Sequence, residues 1–123
     1  MADSSTPIVQ WSRVDDVAVV EILAREIQGP EAAAVLGEQL GAFLRSGETR
    51  LLLDFGRTRV MSSTAFGTLL SFWKQVDTAQ GEVRICSMDR SVRFGADILH
   101  VGQYIPIHED RPSAMAAFAQ RSS

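Results

Sequence analysis

Three consecutive hydroxyl side chains, Ser62, Ser63 and Thr64, stand just ahead of apolar residues at helical spacing: Phe66, Leu69, Leu70, Trp73 and Val76. Serine and threonine are common helix caps, because their oxygens accept hydrogen bonds from the first free N–H groups of the helix. The same N–H groups, together with the positive end of the helix dipole, make a helix start a favourable place for a phosphate. A hydroxyl displayed there can serve as a plain cap, or as a modification site where an added phosphate has large local consequences. Arg57 and Arg59 lie on the loop side of the hydroxyls. They can pair with such a phosphate or simply keep the loop solvated.

Other residues suited to chemistry are sparse. His100 and His108 are the only histidines, and neither has a Cys, Asp or His partner at metal-ligand spacing apart from Glu109-Asp110 beside His108, which reads as a solvated turn. No Gly-x-Ser-x-Gly elbow is present to present a serine nucleophile, and Gly67 alone makes no phosphate-cradling loop. Asp15-Asp16 reads as a turn. The one cysteine, Cys86, lies in the apolar run Val83-Arg84-Ile85-Cys86, so a buried thiol is expected, with no disulfide framework and no Cys-rich zinc site. Ser63 therefore reads as a substrate rather than a catalyst, and neither a catalytic residue nor a bound metal or cofactor is expected.

The elements that must position the hydroxyls follow from periodicity. Leu51-Leu52-Leu53-Asp54-Phe55 is a continuous apolar run, as a strand covered on both faces requires. The residues up to Met61 read as the end of that buried stretch, and the helix after the hydroxyls runs to about Thr78 before Gln80-Gly81 breaks it. Upstream, Val9 to Arg13 and Val17 to Ile22 flank Asp15-Asp16 as a hairpin. Trp11 within it is either a surface contact or packed against the sheet. Gly29-Pro30 starts a helix carrying Ala33, Leu36, Leu40, Phe43 and Leu44, closed by Ser46-Gly47. Downstream come a strand from Glu82 to Cys86, a short helix carrying Val92, Phe94, Ile98 and Leu99, an edge strand from Tyr104 to His108 containing Pro106, and a last helix with Ala114, Met115, Ala117 and Phe118. The order β-β-α-β-α-β-α-β-α predicts an α/β layer: a mixed, mainly parallel sheet of about five strands with helices packed on it. One domain over residues 9 to 120 is expected, with a frayed arm at 1 to 8 and a tail at 121 to 123.

On the central helix, Thr68, Ser71, Lys74 and Gln75 fall opposite the core face. They read as a solvated face that adjoins Ser63, which makes them plausible partner contacts. Phe72 falls at the margin of the apolar face, where it is either core or a half-exposed interface anchor.

Met61-Ser62-Ser63-Thr64-Ala65-Phe66-Gly67-Thr68-Leu69-Leu70, preceded by the apolar strand, resembles the signature of STAS domains, the bacterial anti-sigma-factor antagonists and their relatives. The family pattern is apolar-Asp-Ser-(Ser/Thr/Ala)-Gly-Leu-Gly-x-Leu-Leu. Met61 matches the apolar residue, Ser62 stands at the Asp, Ser63 at the phosphorylated Ser, Ala65 at the first Gly, Phe66 at the Leu and Gly67 at the second Gly. The resemblance implies a phosphorylatable Ser63, with Ser62 and Thr64 as alternative acceptors. With Ser63 as the switch, the residues that adjoin it, Arg59, Ser62, Thr64, Thr68, Ser71, Phe72 and Gln75, are the expected partner surface. The implied partner is an anti-sigma factor of the histidine-kinase-like ATPase type, which binds the unphosphorylated chain and phosphorylates it with ATP and magnesium; a phosphatase resets the cycle. A constitutive scaffold, dimerising or joining other STAS proteins, is the alternative.

The whole-chain properties bound the class without identifying a partner. The 123 residues suffice for one domain, and 46% hydrophobic with 22% charged residues is an ordinary globular composition. A net charge of −3 does not suit a duplex-binding or anionic-membrane surface. The beginning, Met1-Ala2-Asp3-Ser4-Ser5-Thr6-Pro7, lacks the basic-then-apolar order of a signal peptide, and a cytoplasmic protein is expected.

Overall fold

The computed structural model describes residues 7 to 122. The expected arm at 1 to 8 lies outside them except for Pro7 and Ile8, as does Ser123. Ile8 is tied down: its N–H donates to Gln39 Oε1 at 2.8 Å, and its carbonyl accepts from Leu23 N–H at 2.7 Å.

Along the described chain run β1 (Val9–Val14), β2 (Val17–Ile22), β3 (Glu26–Ile27), α1 (Gly29–Arg45), β4 (Arg50–Asp54), β5 (Val60–Met61), α2 (Ser63–Thr78), β6 (Glu82–Cys86), α3 (Arg90–Ile98), a 3-10 turn (Val101–Gln103), β7 (Ile107–His108) and α4 (Arg111–Ser122). Five strands form the main sheet in the order β1-β2-β4-β6-β7. Only the β1–β2 hairpin is antiparallel. The expected mixed, mainly parallel α/β layer is therefore the observed fold.

The apolar run of β4 is buried at every position because both faces of the sheet are covered. Strand alternation sends Leu51 and Leu53 to one side, where they meet Leu36 and Leu40 of α1, Phe66, Leu69 and Val76 of α2, and Val92 and Ala96 of α3. Leu52 goes to the other side with Val17, Val19, Cys86, and Ala114 and Phe118 of α4. Burial pushes the Cys86 thiol up to about 11, so it is an inert core residue, as expected. At the end of α1, Gly47 adopts φ +98 and donates to Leu44 O, while Glu48 N–H reaches Phe43 O. That is a glycine-terminated helix end that a residue with a Cβ would strain.

Four details differ from expectation. Met61 is not the tail of the buried strand: Val60–Met61 is a separate strand, β5, paired in parallel with β3, and Val60 is exposed. The edge strand shrinks to β7, since Pro106 cannot donate and Tyr104 turns outward to meet the Trp73 ring at 5.0 Å. Helix α4 runs two residues past the boundary expected at 120. On α3 only Val92 and Ala96 are buried; Phe94, Ile98 and Leu99 are exposed.

Gly81 leads into β6 under tight packing. A Cβ there would lie 2.3 Å from Thr49 O, which is backbone and cannot yield. Gly81→Ala is expected to destabilise the fold by about 1–3 kcal/mol, the usual cost of overpacking, read as a lower urea midpoint with an unchanged slope.

Candidate functional site

The start of α2 is held from both sides. Arg59 and Val60 N–H donate to Arg25 O, and Ser62 N–H donates to Ile27 O at 3.0 Å. Thr58, fully buried, sends its hydroxyl to Ala24 O at 2.8 Å. The short β3–β5 pair thus fixes the chain that delivers the three hydroxyls. From the C-terminal side, Ser91 Oγ donates to Arg59 O at 3.1 Å and ties the same loop to α3.

The hydroxyls have different environments. Ser62 is the N-cap, with extended backbone, and its Oγ accepts from Ala65 N–H at 3.2 Å. Ser63 and Thr64 occupy the first two helical positions and are exposed. The Ser63 hydroxyl makes no hydrogen bond among the described residues, and the first two N–H groups of a helix have no partner within it. Aspartate and serine are equivalent caps, so Ser62 does the structural work of the acidic residue in the family pattern. Ala65 is fully buried in the core cluster, where its methyl is accommodated without a glycine. Ser62→Ala is expected to cost about 0.5–2 kcal/mol and Ser62→Asp almost nothing, checked by thermal unfolding of both variants.

The two arginines near the loop are already engaged. Arg57 Nε donates to Glu21 at 3.0 Å, directed toward β2. Arg59 Nη1 donates to Gly56 O at 2.7 Å, and its Nε lies 3.7 Å from Asp89. Asp89 caps α3 by accepting from Val92 N–H at 2.9 Å, and that backbone bond holds its carboxyl below the usual range. Arg59 therefore fastens the hydroxyl loop to the start of α3.

Thr64, Thr68, Ser71 and Gln75 line an open groove of about 630 Å³ between α2 and the Ala33, Gly37 and Gly41 side of α1. Phe72 contributes to its wall but is only 2% exposed. It is core, not a half-exposed anchor: α1 packs against that flank of α2 and widens the buried arc beyond the one suggested by the periodicity. Thr68 is half-buried, its hydroxyl donating to Thr64 O. At 100° per residue, Ser63 projects between this groove and the flank carrying Phe66. The Phe66 ring lies against Gly95 of α3, where an added Cβ would be 3.1 Å from it.

Beyond Gly95, α3 presents Phe94 at 66% and Ile98 at 59% exposure, one turn apart. The sequence reading grouped these residues with Val92 on one short helix without separating its two faces. The available signal was a conflict of two apolar faces on one nine-residue helix, Val92–Ala96 against Phe94–Ile98. Close approach to Phe66 demands the face with small residues inward. His108, at the far edge, faces Arg84 Nη1 at 3.1 Å rather than the hydroxyls, and no His, Cys, Asp and Glu group suited to a metal occurs among the described residues.

The family model of the STAS domain matches residues 16–114. The chain belongs to the STAS domain family. BtrV of Bordetella bronchiseptica, a candidate anti-sigma factor antagonist, is 34% identical over 86 residues, covering 70% of this chain and 74% of that protein. An anti-sigma factor antagonist from Mycobacterium paratuberculosis superposes with a TM-score of 0.79 at 16% identity, covering 95% of this chain and 97% of that one. The phosphorylated form of the Bacillus cell fate determinant SpoIIAA gives 0.66 at 15% identity, covering 89% and 98%. At such identities these two likenesses establish the STAS fold. Among the described residues, no helix is long and apolar enough to cross a membrane.

Proposed function

We propose that this STAS domain is an anti-sigma factor antagonist: a non-catalytic cytoplasmic module that captures an anti-sigma factor and is switched at Ser63. The observation that carries the reading is the contrast between neighbouring hydroxyls. Ser62 is consumed as a cap, whereas Ser63 is exposed and unbonded at the helix start. The likeness to BtrV supports the same role. The partner is an anti-sigma factor that is itself a histidine-kinase-like ATPase. It transfers the γ-phosphoryl of ATP to Ser63 Oγ, releasing ADP, and the hydroxyl proton passes to a base on the kinase. A phosphatase removes the phosphate.

The physics of the switch is local. Phosphate adds a charge of about −1.5 to −2. The dipole of α2 stabilises it by about 0.3–1 kcal/mol, so the fold tolerates the modification. A partner seated over α2 and α3 would have to strip water from that charge, and Arg57 and Arg59 beside the loop already serve Glu21 and Asp89. Exposed Phe94 and Ile98 are suitable apolar anchors for such a partner, with Thr64, Ser71 and Gln75 as polar contacts on the groove side. The test is to mix the chain with the kinase-type anti-sigma factor of its own host. A stable complex without ATP, dissolved on adding ATP and magnesium as phosphate appears on Ser63, is the expected result; a complex indifferent to ATP points to a constitutive scaffold.

A further inference from the structure

The two edges of the main sheet are protected very unequally. At one edge, β7 has two residues and is preceded by Pro106, the kind of short, proline-guarded edge that resists further pairing. At the other edge, β1 has six residues, Val9-Gln10-Trp11-Ser12-Arg13-Val14, with no proline and no lysine, and all but Val9 are exposed. Its single charge, on Arg13, is neutralised by an ion pair with Glu48.

The free hydrogen-bonding groups on that edge can be assigned. Leu23 N–H donates to Ile8 O, and Val14 is directly opposite Val17 across the two-residue turn. In an antiparallel ladder, hydrogen-bonded and non-bonded pairs alternate, so Gln10, Ser12 and Val14 direct their backbone groups at β2. Val9, Trp11 and Arg13 direct theirs outward, where no strand follows β1 among the described residues.

We infer that β1 is a self-pairing edge, through which two copies of this chain join β1 to β1 in antiparallel fashion and make one continuous ten-stranded sheet. The inference is independent of the proposed switch. Antiparallel pairing about a twofold axis matches the three outward residues with the same three on the second copy. Centred on Trp11, it sets Trp11 opposite Trp11, and Val9 opposite Arg13. All the outward N–H and C=O groups of the three residues are then used, and no like charges meet. Moving the centre to Ser12 leaves Val9 unpaired, and moving it to Arg13 places two arginines face to face.

The side chains favour the same centre. Trp11 is half exposed, its ring edge-on to Phe43 at 5.5 Å. Together with Val9, Ala42 and Phe43 it borders a surface recess of about 310 Å³. A second Trp11 across the strand pair would cover that recess as a cross-strand aromatic contact. The pairing uses β1 and its flank on α1, and none of Ser62, Ser63, Phe94 or Ile98, so both copies keep their switch surfaces.

Sedimentation equilibrium of the full chain from micromolar to millimolar concentration should show mass rising toward twice the monomer value. Trp11→Lys should raise the dimer dissociation constant at least tenfold, with the circular dichroism spectrum unchanged. Cross-linking tests the register. Trp11→Cys should oxidise to a disulfide-linked dimer, because directly opposed residues in a hydrogen-bonded pair lie about 5.5 Å apart at Cα. Gln10→Cys should not, being opposite Ser12; native Cys86, buried with its thiol pushed up to about 11, gives no background. A chain that remains monomeric across the whole range overturns the inference. So does a dimer that Trp11→Lys leaves intact or that cross-links equally through position 10.

Discussion

Ser63→Glu is expected to weaken capture of the kinase-type anti-sigma factor by about 10²-fold, while Ser63→Ala binds like the parent protein and accepts no phosphate. The size follows from what each change places at an exposed helix start. Glutamate supplies one negative charge, which the free N–H groups and the dipole of α2 stabilise in the isolated domain. Docking then removes water from that charge while the arginine beside it is engaged elsewhere, Arg59 being directed at Asp89 and Gly56 O. Burying an unpaired charge at an interface costs about 2–5 kcal/mol, so a 10²-fold loss is the lower part of that range. Alanine removes only a hydroxyl that has no partner among the described residues. Titration calorimetry of the three proteins against one kinase preparation checks the prediction. Equal affinities for the parent and Ser63→Glu would place the docking surface away from the helix start.

The largest stability effect is expected at Phe66. Its ring is 2% exposed, belongs to the main core cluster and lies against Gly95. Phe66→Ala removes the ring and leaves a cavity between α2 and α3, at a cost of about 3–5 kcal/mol. A small domain has only about 5–15 kcal/mol in total, so the variant should lose a large part of its urea resistance. The loss should also be uneven. Helix α3 is held by Val92, Ala96 and its contact with Phe66, so its amides should exchange fastest relative to the parent protein. Phe94→Ala, on the exposed face of the same helix, should change stability by no more than about 0.5 kcal/mol. Comparable losses at 66 and 94 would mean that α3 packs by its other face.

What the sequence reveals here depends on how local each signal is. The leucine run of β4, the α2 periodicity, the Asp15-Asp16 hairpin and the glycine end of α1 are legible because strand burial, helix spacing and turn chemistry act over a few residues. The β3–β5 pair is not legible: two residues give no alternation, and the pairing joins positions 26 and 60. The sequence leaves Phe72 open between core and anchor, and does not separate Phe94 from Val92 on their short helix, for one reason. Periodicity gives the direction of a side chain but not which neighbour arrives there. Packing of α1 covers Phe72, whereas the inward turn of Val92 and Ala96 leaves Phe94 in solvent. The engagement of Arg57 and Arg59 with Glu21 and Asp89 likewise depends on contacts 30 or more residues apart. The hydroxyl motif could be located in the sequence, but the division of labour between Ser62 as cap and Ser63 as free hydroxyl needed the backbone geometry.

The measurement that tests the central claim most directly is intact mass with site mapping on the protein purified from its own host, in growth and under stress. A fraction carrying a single phosphate on Ser63, changing between the two conditions and absent from Ser63→Ala, is the predicted result. Protein unmodified under both conditions, or phosphate found only on Ser62 or Thr64, would contradict it.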